Sequence, residues 1–139
     1  MRAREWTLLY VLAAGSNIVR AAPVDYMQAY QACLKAAGRT NNGSVGYCSE
    51  TVAEQAQAEM DRLVGQIRAS LQAEIPDEAA KMLQAQQSWT AYRNSHCALA
   101  GAHIGGPMYS YCPLVQNIRR VEELRELAEA RAVADENEG

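Results

Sequence analysis

The stretch SETVAEQAQAEMDRLVGQIRASLQ, residues 49–72, decides the fold. Ala53, Ala56, Met60, Leu63, Ile67 and Leu71 recur at steps of three and four, so one face of a long helix is apolar. Glu50, Glu54, Glu59, Asp61, Arg62 and Arg68 fall largely on the other faces. The same period continues on both sides. Tyr26 to Ala37 reads as a short helix with Met27, Tyr30 and Leu34 on one stripe, and Gly38 is a fitting stop. Arg39 to Gly46 reads as loop. Ile75-Pro76-Asp77 ends the long helix, because Pro76 blocks smooth continuation and Asp77 offers a cap. A third helix runs from about Glu78 to Ala98, carrying Met82, Leu83, Gln86, Trp89, Arg93 and Cys97. Ala100 to Tyr111 reads as a Gly-rich loop. Pro113 suits the first turn of a fourth helix, which Leu114, Ile118, Val121, Leu124 and Ala128 continue. β-branched alternation is almost absent and the chain has no Phe. These features predict an all-α fold: a small antiparallel bundle of about four helices with two disulfide-closed loops.

The cysteines supply the closure. Cys33 and Cys48, and Cys97 and Cys112, stand at equal spacing around Gly-rich polar intervals. Four cysteines allow three pairings, and sequence alone cannot choose among them. Cys33–Cys48 with Cys97–Cys112 is favoured, because each closes a local, turn-rich segment. A loop of that size contributes about 3 kcal/mol in the chain-entropy description. That matters for a domain with a modest core.

The compartment follows from the N-terminus. Arg2 and Arg4 are a basic start, Trp6 to Gly15 is apolar, and Val19-Arg20-Ala21 offers small residues before a cleavage point. Residues 1–21 read as a secretory signal, residues 22–134 as the helical domain and residues 135–139 as a disordered polar tail. The apolar stretch is too short to span a bilayer, so no stable membrane insertion is expected after cleavage. An exported chain with an even cysteine count implies disulfides and a periplasmic or secreted location. No cysteine follows the apolar stretch closely, which argues against a lipid anchor.

Charge narrows the partners. The chain carries a formal net charge of −3. Cleavage removes three arginines but one glutamate, which makes the mature domain two units more acidic. Nucleic-acid binding is disfavoured, since phosphate contacts need Lys and Arg. A basic partner would be drawn in faster.

Chemistry finds little purchase. Gln86, Trp89, Arg93 and Cys97 share one face of the third helix. A catalytic reading would use Arg93 for an anion and His96 as a base. A structural reading packs Trp89 in the core, lets Arg93 snorkel or pair with a carboxylate from another helix, and makes Cys97 an anchor. The structural reading is preferred. The spacing of His96, Cys97, His103 and Cys112 matches no usual zinc pattern. No Ser or Cys sits in a nucleophile elbow. Glu122, Glu123 and Glu126 read as a solvated helix face. No catalytic residue, metal or cofactor is therefore assigned. The Gly-rich segment between Cys97 and Cys112 differs in kind. His103, Tyr109, Ser110 and Tyr111 are candidate partner-binding residues, because Tyr gives contact area at low entropy cost and a closed loop loses less freedom on binding. The alternative is that these aromatics cover the bundle end.

Cys33…Tyr47-Cys48, Gln86-x-x-Trp89-x-x-Tyr92-Arg93-x-x-x-Cys97, Cys112 and Arg119-x-x-x-x-Leu124 together resemble the LprI-type lysozyme inhibitor family, formerly a domain of unknown function. The resemblance covers roughly residues 26 to 128. It implies a small, helical, exported bacterial domain held by disulfides, with Gln86, Trp89, Tyr92, Arg93 and Arg119 as structural positions. It also implies inhibition of chicken-type lysozyme, with lysozyme as protein partner and no enzymatic activity. The founding member is a lipoprotein, and the missing lipobox cysteine departs from it. The rival reading is a periplasmic helical interaction module of unknown partner, related to envelope stress or secretion.

Overall fold

A computed structural model describes residues 22–138; the expected signal segment 1–21 lies outside the described residues. Four helices follow in order: α1 (Tyr26–Ala36), α2 (Asn42–Glu74), α3 (Pro76–His103) and α4 (Met108–Glu138). Asp25 caps α1 by accepting from the Gln28 N–H at 2.8 Å. Gly38 ends it with φ of +73°, a conformation that L side chains rarely adopt.

Several helix boundaries differ from the sequence reading. The expected loop through Gly46 is largely helix, and α2 starts at Asn42 rather than near Ser49. Asn41 and Ser44 form a reciprocal capping box, each side chain accepting from the other's backbone N–H at 3.0 Å. The same logic moves the cap of α3. Ile75 takes the cap position and Pro76 the first helical one, so Asp77 lies inside the first turn. The Gly-rich segment from Ala100 is also mostly helical: α3 continues to His103, α4 begins at Met108, and only residues 104–107 connect them. Pro113 consequently sits inside α4 rather than at its start. The polar stretch from Asp135 continues α4 to Glu138, and Asp135 accepts hydrogen bonds from Ser70 and Arg131.

The contacts set the directions. Ser110 meets Glu50, Arg125 meets Glu59 and Asp135 meets Ser70, so α4 runs parallel to α2. Gln57 meets Arg93 and Met60 meets Gln86, so α3 returns antiparallel between them. The short α1 lies antiparallel to the first half of α2, with Tyr26 at Glu59 and Cys33 at Cys48. The expected stripe forms the core: Ala56, Met60, Leu63, Ile67 and Leu71 are buried against Leu114, Val121 and Leu124, while Ala53 is partly buried. Leu83 is exposed instead, leaving Met82 as the buried residue of that pair. Both favoured disulfides are present, Cys33–Cys48 and Cys97–Cys112. Each joins two consecutive helices across a tight turn, with both staples at the same end of the bundle.

Candidate functional site

The conspicuous face of α3 builds a polar seam between the three long helices. Arg93 Nη1 donates to Gln57 Oε1 on α2 and to Asn117 Oδ1 on α4, both at 2.8 Å. Asn117 Nδ2 in turn donates to the Ala53 carbonyl at 3.1 Å. Arg93 Cζ lies 5.1 Å from the Trp89 ring centroid, and Arg120 Cζ lies 5.8 Å from it. Arg120 Nε donates to Gln86 Oε1 at 3.1 Å, while Gln86 Nε2 approaches Met60 Sδ at 2.9 Å. Trp89 is thus half-buried between two guanidinium groups. Of the two expectations for Arg93, snorkelling or a carboxylate partner, the second is not met: it donates to neutral amide oxygens, and its burial pushes its proton affinity down.

Two motif positions point away from this seam. Tyr92 is exposed and stacks on His96, with ring centroids 5.4 Å apart. Arg119 is exposed, and its neighbour Arg120 reaches Trp89 and Gln86. The sequence reading missed Arg120. The signal available to it was the spacing from Leu114, Val121 and Leu124, which turns position 120 nearer the core than position 119. Arg93 and His96 do not converge: one is bonded within the seam, the other lies on the surface.

The four candidate partner-binding residues divide. His103 ends α3 and is exposed. Tyr109 is 57 % exposed and lays its ring on Gly101, where a Cβ would collide with it. Ser110 donates to Glu50 Oε1 at 3.0 Å and so ties α4 to α2. Tyr111 packs inward, its ring centroid 5.5 Å from that of Tyr30 on α1. Only His103 and Tyr109 of the four are at the surface of this end. Beside them stand Ile104, 74 % exposed, and Leu99, 60 % exposed, which the sequence reading passed over.

A second polar junction pins the start of α1. Arg125 donates to both carboxylate oxygens of Glu59, at 2.9 and 2.7 Å, and to the Val24 carbonyl at 3.0 Å. Tyr26 donates its hydroxyl to Glu59 at 2.6 Å. The Arg125 hydrogen bonds, assisted by Tyr26, hold Glu59 below the usual carboxylate range. Burial, then Glu59, push the Tyr26 phenol up to about 12. Glu59 is thereby a fixed structural anion, the wrong direction for a carboxyl meant to donate a proton near neutrality.

The family model described as "Lysozyme inhibitor LprI" matches residues 33–133, which takes in both disulfides, the Trp89 seam and the exposed end. The chain belongs to the LprI family. Neither the curated proteins nor the solved structures gave a match. In this LprI-family chain the recognisable positions hold the bundle together: the cysteines staple consecutive helices, and Gln86, Trp89 and Arg93 fill the seam. No described helix is long and apolar enough to cross a membrane.

Proposed function

We propose that this LprI-family chain is an exported inhibitor of chicken-type lysozyme, which protects peptidoglycan by blocking the enzyme's active-site cleft. The family match over residues 33–133 carries the reading. Two disulfides and the absence of a membrane-spanning helix among the described residues support a chain that works in the periplasm or outside the cell, after removal of residues 1–21. It acts by binding rather than by catalysis. Lysozyme works through a carboxyl pair in a cleft, and a rigid wedge that fills the cleft is sufficient to stop it. The end of the bundle where α3 meets α4 is such a wedge. Its connection is four residues long, Cys97–Cys112 ties the two helices together beneath it, and His103, Ile104 and Tyr109 are exposed around it. In this arrangement His103 and Tyr109 make contact, while Ser110 and Tyr111 position them through Glu50 and Tyr30. The acidic chain speeds the approach of a basic enzyme.

The mature protein should slow lysozyme lysis of peptidoglycan at near-stoichiometric ratio, and His103→Ala with Tyr109→Ala should weaken it while leaving helicity unchanged. Lack of inhibition across several lysozyme types would sink the reading. Reduction of both disulfides should diminish inhibition.

A further inference from the structure

The charges of this chain are segregated. No Asp or Glu occurs between Glu78 and Glu122. Beyond its first turn, the exposed surface of α3 carries a single formal charge, Lys81. Exposed carboxylates crowd the other two long helices instead, among them Glu54 and Asp61 on α2 and Glu122 and Glu126 on α4. The charge-poor flank of α3 also bears apolar surface. Tyr92, His96 and Leu99 follow at steps of four and three, so they line one strip. Tyr92 is 55 % exposed, and no other described helix covers this strip.

We propose that this face of α3 is the contact surface for a second copy of the chain, in a two-fold symmetric dimer. Depletion of charge together with exposed Tyr and Leu is the composition of an interface centre. The distribution also selects the occupant. Along Tyr92, His96 and Leu99, away from the exposed α3–α4 end, no carboxylate draws a basic partner in. A second copy carries the same net negative charge, so it can approach closely only where both surfaces lack carboxylates. Joining the copies through α3 leaves the acidic faces outermost, where their repulsion is screened. A two-fold interface is self-complementary. An antiparallel crossing near Tyr92 places Leu99 of each copy against Ala85 of the other, a small exposed residue that leaves room for it.

Size sets the strength. The carboxylate-free stretch of α3 from Lys81 to His103 is ~35 Å long and about 10 Å wide, so its face offers on the order of 350 Å² at most. A standard interface takes about 800 Å² from each partner. The dimer is therefore weak and concentration-dependent.

Sedimentation equilibrium of the oxidised mature chain over a concentration series tests this. The average mass should climb from one chain toward two. Leu99→Glu and Tyr92→Glu each bring a carboxylate into the face and should weaken dimerisation at least tenfold, with circular dichroism and melting unchanged. Tyr47→Glu, at an exposed site on α2, should leave dimerisation as it was. A chain that stays monomeric up to ~1 mM, the weak end of specific association, overturns the proposal. So does a dimer indifferent to both α3 variants. A monomeric parent whose lysozyme inhibition is lost in Leu99→Glu assigns the face to the enzyme and overturns it as well. The dimer stands or falls on mass, independently of whether lysozyme is inhibited.

Discussion

Arg93 is held by geometry rather than by an opposite charge. Its flat guanidinium reaches Gln57 and Asn117 together while facing Trp89. A lysine ammonium is a compact point charge on a flexible stem and cannot reproduce that fork. Arg93→Lys should therefore cost on the order of 1–3 kcal/mol, the range for leaving a buried acceptor poorly matched. Urea unfolding of the oxidised protein measures it, and an unchanged midpoint would remove the seam from the account of stability. Ser49 is the converse case. It is fully buried beside Cys48, yet its hydroxyl meets no hydrogen-bond partner among the described residues. Ser49→Ala discards a desolvated group without opening a cavity, so stability should hold or rise by about 1 kcal/mol. A clear loss of stability in the same titration would contradict this. Of these residues, Arg93 was legible in the sequence through its spacing from Trp89. Its partners were not, since Gln57 and Asn117 are brought to it from other helices.

Helix ends carry most of the difference between sequence and structure. By local preference alone, glycine-rich stretches read as loops. Gly46 instead sits within α2, where a Cβ would make only an ordinary 4.0 Å contact with Ser110 Oγ. Gly101 sits within α3 beneath the Tyr109 ring. Here the absent side chain serves close approach of two helices, a tertiary demand that overrides the intrinsic cost of glycine in a helix. Gly101→Ala should force Tyr109 off its seat and cost about 1–3 kcal/mol, as overpacking does. In a Tyr109→Ala background the same change should cost little, because the obstructing ring is gone. A double-mutant cycle on thermal unfolding reads the coupling. Additive effects would mean that the ring moves aside freely.

At the scale of the whole molecule, one junction links folding to pH at both extremes. Glu59 is bonded by Arg125 and Tyr26, which ties α2, α4 and the start of α1 together. Its carboxyl is held below the usual range, so the stability it contributes is present above its unfolded value and is lost as pH falls through the lower folded value. The Tyr26 phenol is raised from 10.0 to about 12, so its contribution is complete below 10.0 and is lost as pH climbs from there through about 12. Stability should be flat between these limbs and should fall at each. Glu59→Gln should shrink the acid limb in urea midpoints measured across pH, and an identical acid limb in the variant would rule the junction out as its source. The sequence by itself determined that the described residues are all helical, in about four helices, and which stripe of the long helices α2 and α4 meets the core, because apolar spacing and turn residues act within a few residues of one another. It also presented cysteines placed for two local staples, while leaving three pairings open. The tertiary structure decided the actual pairing, the true helix ends and the parallel run of α2 and α4. It also decided that Tyr111 turns inward to Tyr30 while Tyr92 and Leu99 stay exposed. Each of these depends on which surfaces meet across helices far apart in the chain, and no local pattern contains that information.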